Sequence, residues 1–396
     1  MKKILLGTSA IIAMAAMGAS AHTRDGLVDT TPTNFELTIK GEVSAYQALT
    51  SITAEDKDGK EIGSEGFFGQ DYSADVDFIA KTHIRDWDIE ARVELDYNSN
   101  KNFDADEIYM DFKHASIGTF RLGRAPAPSD VLSLEADLPG ENWDDVGGLN
   151  EAFASTFGGL GNSRFADDAN IVGYFTPKFG NVFQFGIAYI FGTQTDDELI
   201  SGGSYLDWGL DKDGLANKIE DDAVEVAAKL EGEYAGFTYG LSAAYRQYLG
   251  SDNMYWANNT LTDYVAIESR WTAGVKLGYM GFTWITTYGE TNYGFNGEGK
   301  SPWDGANDWG VRTALTYAWD RWEVGAAYEA GQAYAGTDET ITSSLIEAGA
   351  SFKVFTGMSV HAAAAYAMSE HDELASVHPG AKADGIQLRT GIDLSW

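Results

Sequence analysis

The sequence predicts an all-β fold, a transmembrane antiparallel β-barrel of sixteen strands. Apolar and polar residues alternate along sixteen segments, the connections between them alternate between very short turns and long polar stretches, and an aromatic residue flanks each short turn. Successive side chains of a strand point to opposite faces, so this alternation gives every strand one apolar and one polar face. Only helices and closed barrels satisfy all their backbone hydrogen bonds inside a bilayer.

The segment 86–98 shows the alternation most clearly. Trp87, Val93 and the other odd-numbered residues from 87 to 97 are apolar or aromatic, whereas Asp88, Arg92 and the other even-numbered residues are polar or charged. The sixteen expected strands lie near 34–48, 69–84, 86–98, 103–113, 118–124, 169–177, 181–191, 222–235, 236–249, 263–280, 282–293, 308–319, 321–333, 342–354, 358–369 and 384–396.

The connections and their flanking aromatics support a barrel that spans an outer membrane. Arg85-Asp86, Ala235-Gly236 and Met280-Gly281 mark very short turns, and stretches such as 49–68 and 250–262 are long and polar. Short turns on one rim and long loops on the other are typical of bacterial outer-membrane barrels, as is an even number of strands. Aromatics on both sides of the short turns predict a girdle at the membrane interface.

Residues 1–21 have the layout of a secretory signal peptide. A short basic start and an apolar run precede a small-residue cleavage site that ends at Ala21. We therefore expect cleavage before His22 and a single mature barrel domain over 22–396. The apolar run is short for the alternative, an uncleaved anchor helix.

Composition narrows the class of protein further. The chain has 396 residues, no cysteine and a formal net charge of −33, so disulfides do not hold its fold, and its surface repels nucleic acid and attracts cations. No later stretch approaches the ~18 apolar residues that a transmembrane helix needs. The mature chain is therefore expected to be a barrel or, as an alternative from another class, a soluble secreted β-sandwich that binds a ligand.

Several stretches carry a resemblance to a known family. They are the hairpin Ala105–Phe112 and Ile117–Arg124, the later strand Asn170–Pro177 preceded by Arg164, and a C-terminal strand of alternating apolar residues that ends at Trp396. Together they resemble the general diffusion porins of Gram-negative outer membranes, most closely the alphaproteobacterial branch. That family more often ends in Phe than in Trp.

The resemblance implies a channel in the bacterial outer membrane. It implies a homotrimer of water-filled pores, each narrowed by the third long loop, residues 125–168, folding inward. The implied partners are outer-membrane lipid and lipopolysaccharide, the barrel assembly machinery that reads the C-terminal strand, and small hydrophilic solutes that diffuse passively through the pore. A substrate-specific outer-membrane channel is the nearest alternative.

The third loop is acidic and rich in glycine, and the resemblance implies that its carboxylates face basic residues on the barrel wall. The acidic candidates for the constriction are Asp130, Glu135, Asp137, Glu141, Asp144 and Asp145. The basic candidates for the pore wall are Arg124, Arg164, Lys40, Lys81, Arg92 and Arg389. Opposite charges across a narrow pore create a transverse field, and the excess of acids predicts a preference for cations. The alternative for each carboxylate is that it merely solvates an extracellular loop.

Two loops hold a partial calcium-binding pattern. The candidate ligands are Asp56, Asp58, Glu65, Asp211, Asp213 and Glu220. Ala54 and Gly209 stand where an EF-hand loop needs an acid or amide, so turn formation is the favoured role for both Asp-Gly pairs. Calcium on the outer loops is the alternative, and no other cofactor is expected.

Catalysis has little support in the sequence. No H-E-x-x-H pair or G-x-S-x-G elbow is present. His371 lies beside Asp372 and Glu373, but no serine near them is distinguished, and a histidine in a polar loop is usually only solvated. The sequence therefore predicts a channel rather than an enzyme.

Overall fold

The computed structural model describes residues 35–98, 104–139, 168–191, 222–249, 254–257, 260–264, 266–294, 307–336, 339–371 and 380–396. Sixteen strands within these ranges form a closed antiparallel barrel, in which each strand pairs with its neighbours along the chain and the last pairs with the first. They are β1 (Phe35–Glu55), β2 (Glu61–Ile84), β3 (Trp87–Asn98), β4 (Asp104–His114), β5 (Gly118–Pro126), β6 (Asp168–Phe175), β7 (Phe183–Ile190), β8 (Ala223–Tyr234), β9 (Phe237–Tyr248), β12 (Ala266–Tyr279), β13 (Phe282–Gly294), β14 (Asn307–Trp319), β15 (Trp322–Gly336), β16 (Glu339–Phe355), β17 (Met358–His371) and β18 (Lys382–Ser395).

Three further elements lie in the connections. A short helix, α1 (Pro128–Leu132), follows β5, and β10 (Met254–Ala257) pairs with β11 (Thr260–Tyr264) in a separate two-stranded hairpin. Among the described residues no helix is both long enough and apolar enough to cross a bilayer. The strand count, the closed antiparallel barrel and all sixteen predicted segments are confirmed.

Two predicted loops are wrong in part. The stretch 49–68 continues the ladder between β1 and β2, with Leu49 opposite Phe68 and Thr53 opposite Ser64, so only a tight turn at 56–60 remains. The stretch 250–262 contains β10 and the start of β11. A strand with polar side chains on both faces shows no alternation of apolar and polar residues in the sequence. Its backbone hydrogen bonds still form, because they do not require apolar side chains.

The two faces of each barrel strand are inverted relative to a soluble protein. On β9, Leu241 is 55% exposed on the outer face, whereas its neighbours Ser242 and Arg246 on the inner face are 6% and 2% exposed. A soluble β-protein buries its apolar face and exposes its polar one. Outward apolar and inward polar side chains are the arrangement that lipid outside and water inside require.

Aromatic rings form a girdle at the rim with the short turns, as predicted. Ring pairs at this rim include Phe237 with Tyr279 at 4.1 Å and Trp319 with Trp322 at 6.4 Å between centroids. A second group on the outer face, centred on Trp271 and in ring contact with Tyr288 at 5.0 Å, lies eight residues up β12 from Tyr279. Eight residues of a strand tilted by ~40° rise about 20 Å, close to the ~25 Å apolar band of such barrels.

The short turns adopt conformations that suit closely paired strands. Ala235 and Gly236 have φ values of 52° and 81°, and Met280 and Gly281 have 50° and 86°. Positive φ at both central residues is the signature of a type I′ turn, whose twist matches that of the flanking strands. Each two-residue turn therefore fixes the register of the hairpin that it joins.

The first and last strands close the barrel at a glycine. The terminal residue Trp396 exchanges backbone hydrogen bonds with Gly41 of β1, at 3.0 and 3.3 Å, and its indole lies where a side chain on Gly41 would stand. The aromatic terminus is therefore part of the seam between β18 and β1.

Candidate functional site

The inner face of β2, β3 and β4 carries an acidic strip, defined here as Asp75, Asp77, Glu94, Asp96 and Glu107 around Arg92. Strand register explains the cluster, because directly opposed residues share a face: Asp75 lies opposite Asp96, and Asp77 opposite Glu94. The Arg92 guanidinium contacts Asp77 at 2.7 Å, Glu94 at 2.5 Å and Glu107 at 3.1 Å. Three of the five carboxylates therefore share one guanidinium, Asp75 and Asp96 face each other beside them, and the strip carries a net negative charge.

A second group on the inner face holds the start of the third loop. Arg121 of β5 makes a two-pronged contact with Asp111, at 2.8 and 3.0 Å, and donates to the carbonyl of Pro126 at 3.2 Å. Its guanidinium carbon lies 4.5 Å from the Tyr109 ring centroid and 5.3 Å from that of Phe175. Bidentate pairing and ring stacking both favour arginine over lysine, so this side chain is rigidly placed where the chain leaves β5.

Beyond β5 the chain follows the inner wall of the barrel as a segment that we name the strap, Ala127–Pro139. At its start, the backbone N–H of Ser129 donates to Glu225 Oε1 at 2.6 Å. The other oxygen of Glu225 accepts from Arg246 Nε–H at 2.7 Å and forms an ion pair with its Nη2 at 2.6 Å, and both side chains are almost fully buried. A buried carboxylate is tolerated because these charge-assisted hydrogen bonds replace water.

The far part of the strap is held by a cation instead. Arg312 of β14 donates its Nε–H to the carbonyl of Ala136 at 2.9 Å. Its two remaining nitrogens contact Glu329 at 2.9 Å and Glu347 at 2.8 Å, one from each of the next two strands. Between these two ends, the N–H of Leu134 donates to a wall hydroxyl, Ser242 Oγ, at 3.0 Å.

The side chains of the strap divide between the wall and the lumen. Leu132, Leu134 and Leu138 are buried against the barrel, whereas Val131 and Asp137 are exposed. Backbone polar groups and leucine side chains of the strap are both taken up by contacts with the wall. Only the remaining side chains of the strap can therefore face the lumen. Of the predicted acidic candidates, Asp130, Glu135 and Asp137 lie in the strap, while Glu141, Asp144 and Asp145 lie outside the described residues.

The predicted basic wall is only partly assembled. Lys40, Lys81, Arg92 and Arg389 lie on the inner face, and the guanidinium of Arg389 stands 5.0 Å from the centroid of the Tyr46 ring. Lys81 pairs with Glu90 at 3.3 Å. The inner wall of β2 to β4 is therefore mainly acidic rather than basic.

Arg124 is not on the inner face. It shares the outward face of β5 with Leu122 and pairs with Asp106 of β4 at 3.3 Å. The period of two along β5 carries this information, because residues 122 and 124 must share a face and Arg121 must lie on the other. Arg164 lies outside the described residues.

The residues that hold the strap were not among the predicted site residues. All of them alternate with outward apolar residues, so the sequence places their side chains on the inner face, toward the lumen or the strap. They are Arg121, Glu225, Arg246, Arg312, Glu329 and Glu347. The alternation along each strand does not show which of these side chains contact the strap. Ser129 and Glu225 are 96 positions apart, and only the closed barrel brings them together.

The first calcium pattern is a turn. Asp56 Oδ1 accepts the backbone N–H groups of Asp58 and Lys60, at 3.0 and 2.9 Å, and Gly59 has a φ of 75°. Such a carboxylate stabilises the turn itself. The side chain of Glu65, together with Asp211, Asp213 and Glu220, lies outside the described part of the chain, and within that part no group of three or more acidic or histidine side chains could hold a metal ion.

A serine, a histidine and an aspartate also meet on the inner face near the seam. Ser359 Oγ lies 3.1 Å from His361 Nε2, and Asp393, which accepts a hydrogen bond from Tyr46 at 2.6 Å, contacts the same nitrogen. In a hydrolytic triad the serine and the carboxylate contact opposite nitrogens of the imidazole ring. This set lacks that arrangement and serves as a polar link between β17, β18 and β1.

A closed barrel with an apolar exterior and a charged lumen defines the class of membrane channels. A family model described as Gram-negative porin matches residues 7–372, and the chain belongs to that family. The protein is therefore a channel-forming barrel of the bacterial outer membrane. Comparison with curated protein sequences returns no match.

Solved structures with the same fold share little sequence with this chain. The anion-selective porin from Comamonas acidovorans is 14% identical, with a TM-score of 0.56 over 92% of this chain and 100% of that one. The outer-membrane channel DcaP of Acinetobacter baumannii is 13% identical, with a TM-score of 0.57 over 92% and 98%. OmpT of Vibrio cholerae in its trimer form is 14% identical, with a TM-score of 0.52 over 90% and 99%.

Proposed function

We propose that this porin lets small hydrophilic solutes and ions diffuse passively through a water-filled lumen, with a preference for cations. The acidic strip is the observation that carries the proposal. Its carboxylates line the wall of β2 to β4, whereas the strap is hydrogen-bonded to the wall at β8, β9 and β14. The strip therefore remains open to the lumen, and the side chains of Asp77 and Glu94 are each 18% exposed.

The neighbouring basic residues do not offset the strip. Lys113 contacts Glu90 at 3.0 Å and Asp111 at 3.5 Å, and Arg121 is held by the same Asp111. A cation that is already paired attracts an anion weakly, because the field of the pair falls off faster than that of a single charge. Net negative charge along the wall raises the local concentration of cations in the lumen.

Passive diffusion is supported by the chemistry of the inner face. It presents charged and hydroxyl side chains toward the lumen, where a hydrated solute can exchange water for protein hydrogen bonds. Apolar solutes gain nothing comparable there. The strap adds the exposed carboxylate of Asp137 on the lumen side, which favours cations further.

We further infer that three copies assemble and that lipopolysaccharide surrounds the outer rim. The Vibrio cholerae OmpT with the same fold was solved as a trimer. The C-terminal strand, which ends at an exposed Trp396, is the segment proposed to engage the barrel assembly machinery. An unboiled sample should run on a gel as a trimer band, at an apparent mass below that calculated for three chains, and a boiled sample should run as a monomer. A single monomer band in both lanes contradicts the trimer.

Two measurements on purified protein test the channel itself. In planar bilayers under a potassium chloride gradient, the reversal potential should have the sign of potassium preference. In a vesicle swelling assay, neutral sugars should enter at rates that fall with size and rise linearly with concentration. A reversal potential of the opposite sign would refute the cation preference, and saturating sugar entry would indicate a substrate-specific channel.

A further inference from the structure

We propose that five glycines on the inner wall set the width of this channel by forming a groove that receives the strap. The five, which we name the glycine groove, are Gly186, Gly240, Gly274, Gly325 and Gly349. The inference deepens the proposed function and rests on it, since it concerns how far the strap projects into a conducting lumen.

The first half of the strap lies directly on groove glycines. A Cβ on Gly186 would stand 3.0 Å from Pro128 Cβ and 3.2 Å from Leu132 Cδ1. A Cβ on Gly274 would stand 3.1 Å from the Cβ of Leu134. Separations of this size are tighter than ordinary van der Waals contact. Wall atoms crowd the same two positions, with Phe175 3.0 Å from the first Cβ and Ser242 Oγ 2.8 Å from the second, so strap and wall together leave room only for glycine.

The second half of the strap lies even closer to the wall. A Cβ on Gly325 would stand 2.7 Å from Leu138 Cδ2, and one on Gly349 would overlap the backbone carbonyl oxygen of Pro139. Gly325 and Gly349 are directly opposed partners on β15 and β16, so the two together make one recess in the wall. The strap backbone, and not only a flexible side chain, occupies that recess.

The wall is the fixed partner in these contacts. Every groove glycine lies in a strand with a ladder on both sides, and moving it would disturb hydrogen bonds to two neighbours. The strap has no such ladder; its attachments include hydrogen bonds from Ser129 to Glu225, from Leu134 to Ser242 and from Arg312 to Ala136. A side chain added to the groove should therefore push the strap toward the lumen and narrow the pore.

Gly349 gives the sharpest test because a backbone atom faces it. Its φ is not in the left-handed region, so alanine or valine fits the strand without backbone strain. The variants Gly349→Ala and Gly349→Val should show a graded loss of single-channel conductance, larger for valine, and a smaller size limit for sugars in vesicle swelling. Gly173→Ala is the matched control, because its Cβ would have ordinary contacts of 3.4 Å or more with Ile171, Ala188 and Arg121.

The proposal is overturned if folded Gly349→Val, with wild-type heat stability, conducts as the wild type does or better. A failure of the wild type to conduct would instead refute the proposed function, so the two failures are distinct. If the Gly349 variants do not fold, the pair Leu134→Cys and Gly274→Cys decides. The chain has no cysteine, and a Cβ separation near 3.1 Å is within a small shift of disulfide geometry.

That pair should lose both free thiols on mild oxidation, because the strap and the wall are adjacent at these two positions. Persistent free thiols would place the strap away from the groove and overturn the proposal.

Discussion

Removing the charge of the acidic strip should weaken the cation preference by a calculable amount. The fourfold variant replaces four of the five carboxylates by amides of nearly equal volume and leaves Glu107 beside Arg92. Its substitutions are Asp75→Asn, Asp77→Asn, Glu94→Gln and Asp96→Asn. The strip then changes from five carboxylates and one guanidinium, a formal net charge of −4, to one of each and no formal net charge.

The magnitude follows from the distances in a water-filled lumen. A unit charge ~8 Å from an ion on the pore axis contributes about 0.5 kcal/mol in water, and screening at ~0.15 M salt lowers this to about 0.2 kcal/mol. Four charges contribute about 0.8 kcal/mol, favourable for a cation and unfavourable for an anion. The difference, about 1.5 kcal/mol, corresponds to a roughly tenfold fall in the ratio of cation to anion permeability.

Reversal potentials in a potassium chloride gradient measure this ratio directly. A smaller pair of variants provides the control: Asp75→Asn with Asp96→Asn removes two charges from the lumen, and Asp384→Asn with Glu290→Gln removes two from the outer face. Only the inner pair should shift the reversal potential, and higher salt should reduce the shift. Equal shifts from both pairs, or none from the fourfold variant, would show that the strip does not set selectivity.

Three further substitutions test how the barrel and the strap are held. Gly41→Val should displace the Trp396 indole and destabilise the barrel by roughly 1–3 kcal/mol through overpacking. The folded band on a gel should then disappear at a lower temperature, and an unchanged temperature would argue against the packing of the seam. Ser242→Ala should cost about 1 kcal/mol by removing the acceptor for Leu134 N–H, and should also increase open-channel noise; quiet wild-type currents would speak against that hydrogen bond as an anchor. Arg312→Gln leaves two buried carboxylates without their cation and should cost about 3–5 kcal/mol of stability in urea unfolding, and a wild-type unfolding midpoint would be inconsistent with the buried cluster.

The fold was predictable because the membrane imposes one simple rule on every strand. Lipid on one side and water on the other force a period of two, and the segment from Trp87 to Asn98 obeys it at every position. The same rule fails where no lipid is present. Along 49–68, where β1 and β2 continue their ladder, the alternation fades, and the sequence alone suggested a loop.

The site was less predictable, for two different reasons. Arg124 was placed on the pore wall from the family resemblance, although its position two residues from Leu122 already implied the outer face. The anchors of the strap are a harder case. Glu225 and Arg312 meet backbone atoms of the strap 96 and 176 positions away, and no local pattern encodes which backbone group an inward charge will bind.

Selectivity is a property of the lining side chains rather than of the barrel. The Comamonas acidovorans porin described as anion-selective has the same fold at a TM-score of 0.56. We therefore expect the lining side chains, and not the shared backbone architecture, to set the sign of the preferred ion. In the present chain the inner face of β2 to β4 groups five carboxylates, three of them in contact with Arg92, and this is where we expect the sign to be set.

Single-cysteine scanning along β2 tests most directly that this barrel has lipid outside and water inside. Because the native chain has no cysteine, each variant from position 72 to 78 reports one site. In vesicles, a charged water-soluble thiol reagent should label positions 73, 75 and 77 and spare 72, 74, 76 and 78, while a lipid-dissolved reagent should give the opposite pattern. Uniform labelling along the strand, or the reverse alternation, would contradict a barrel with lipid outside and water inside.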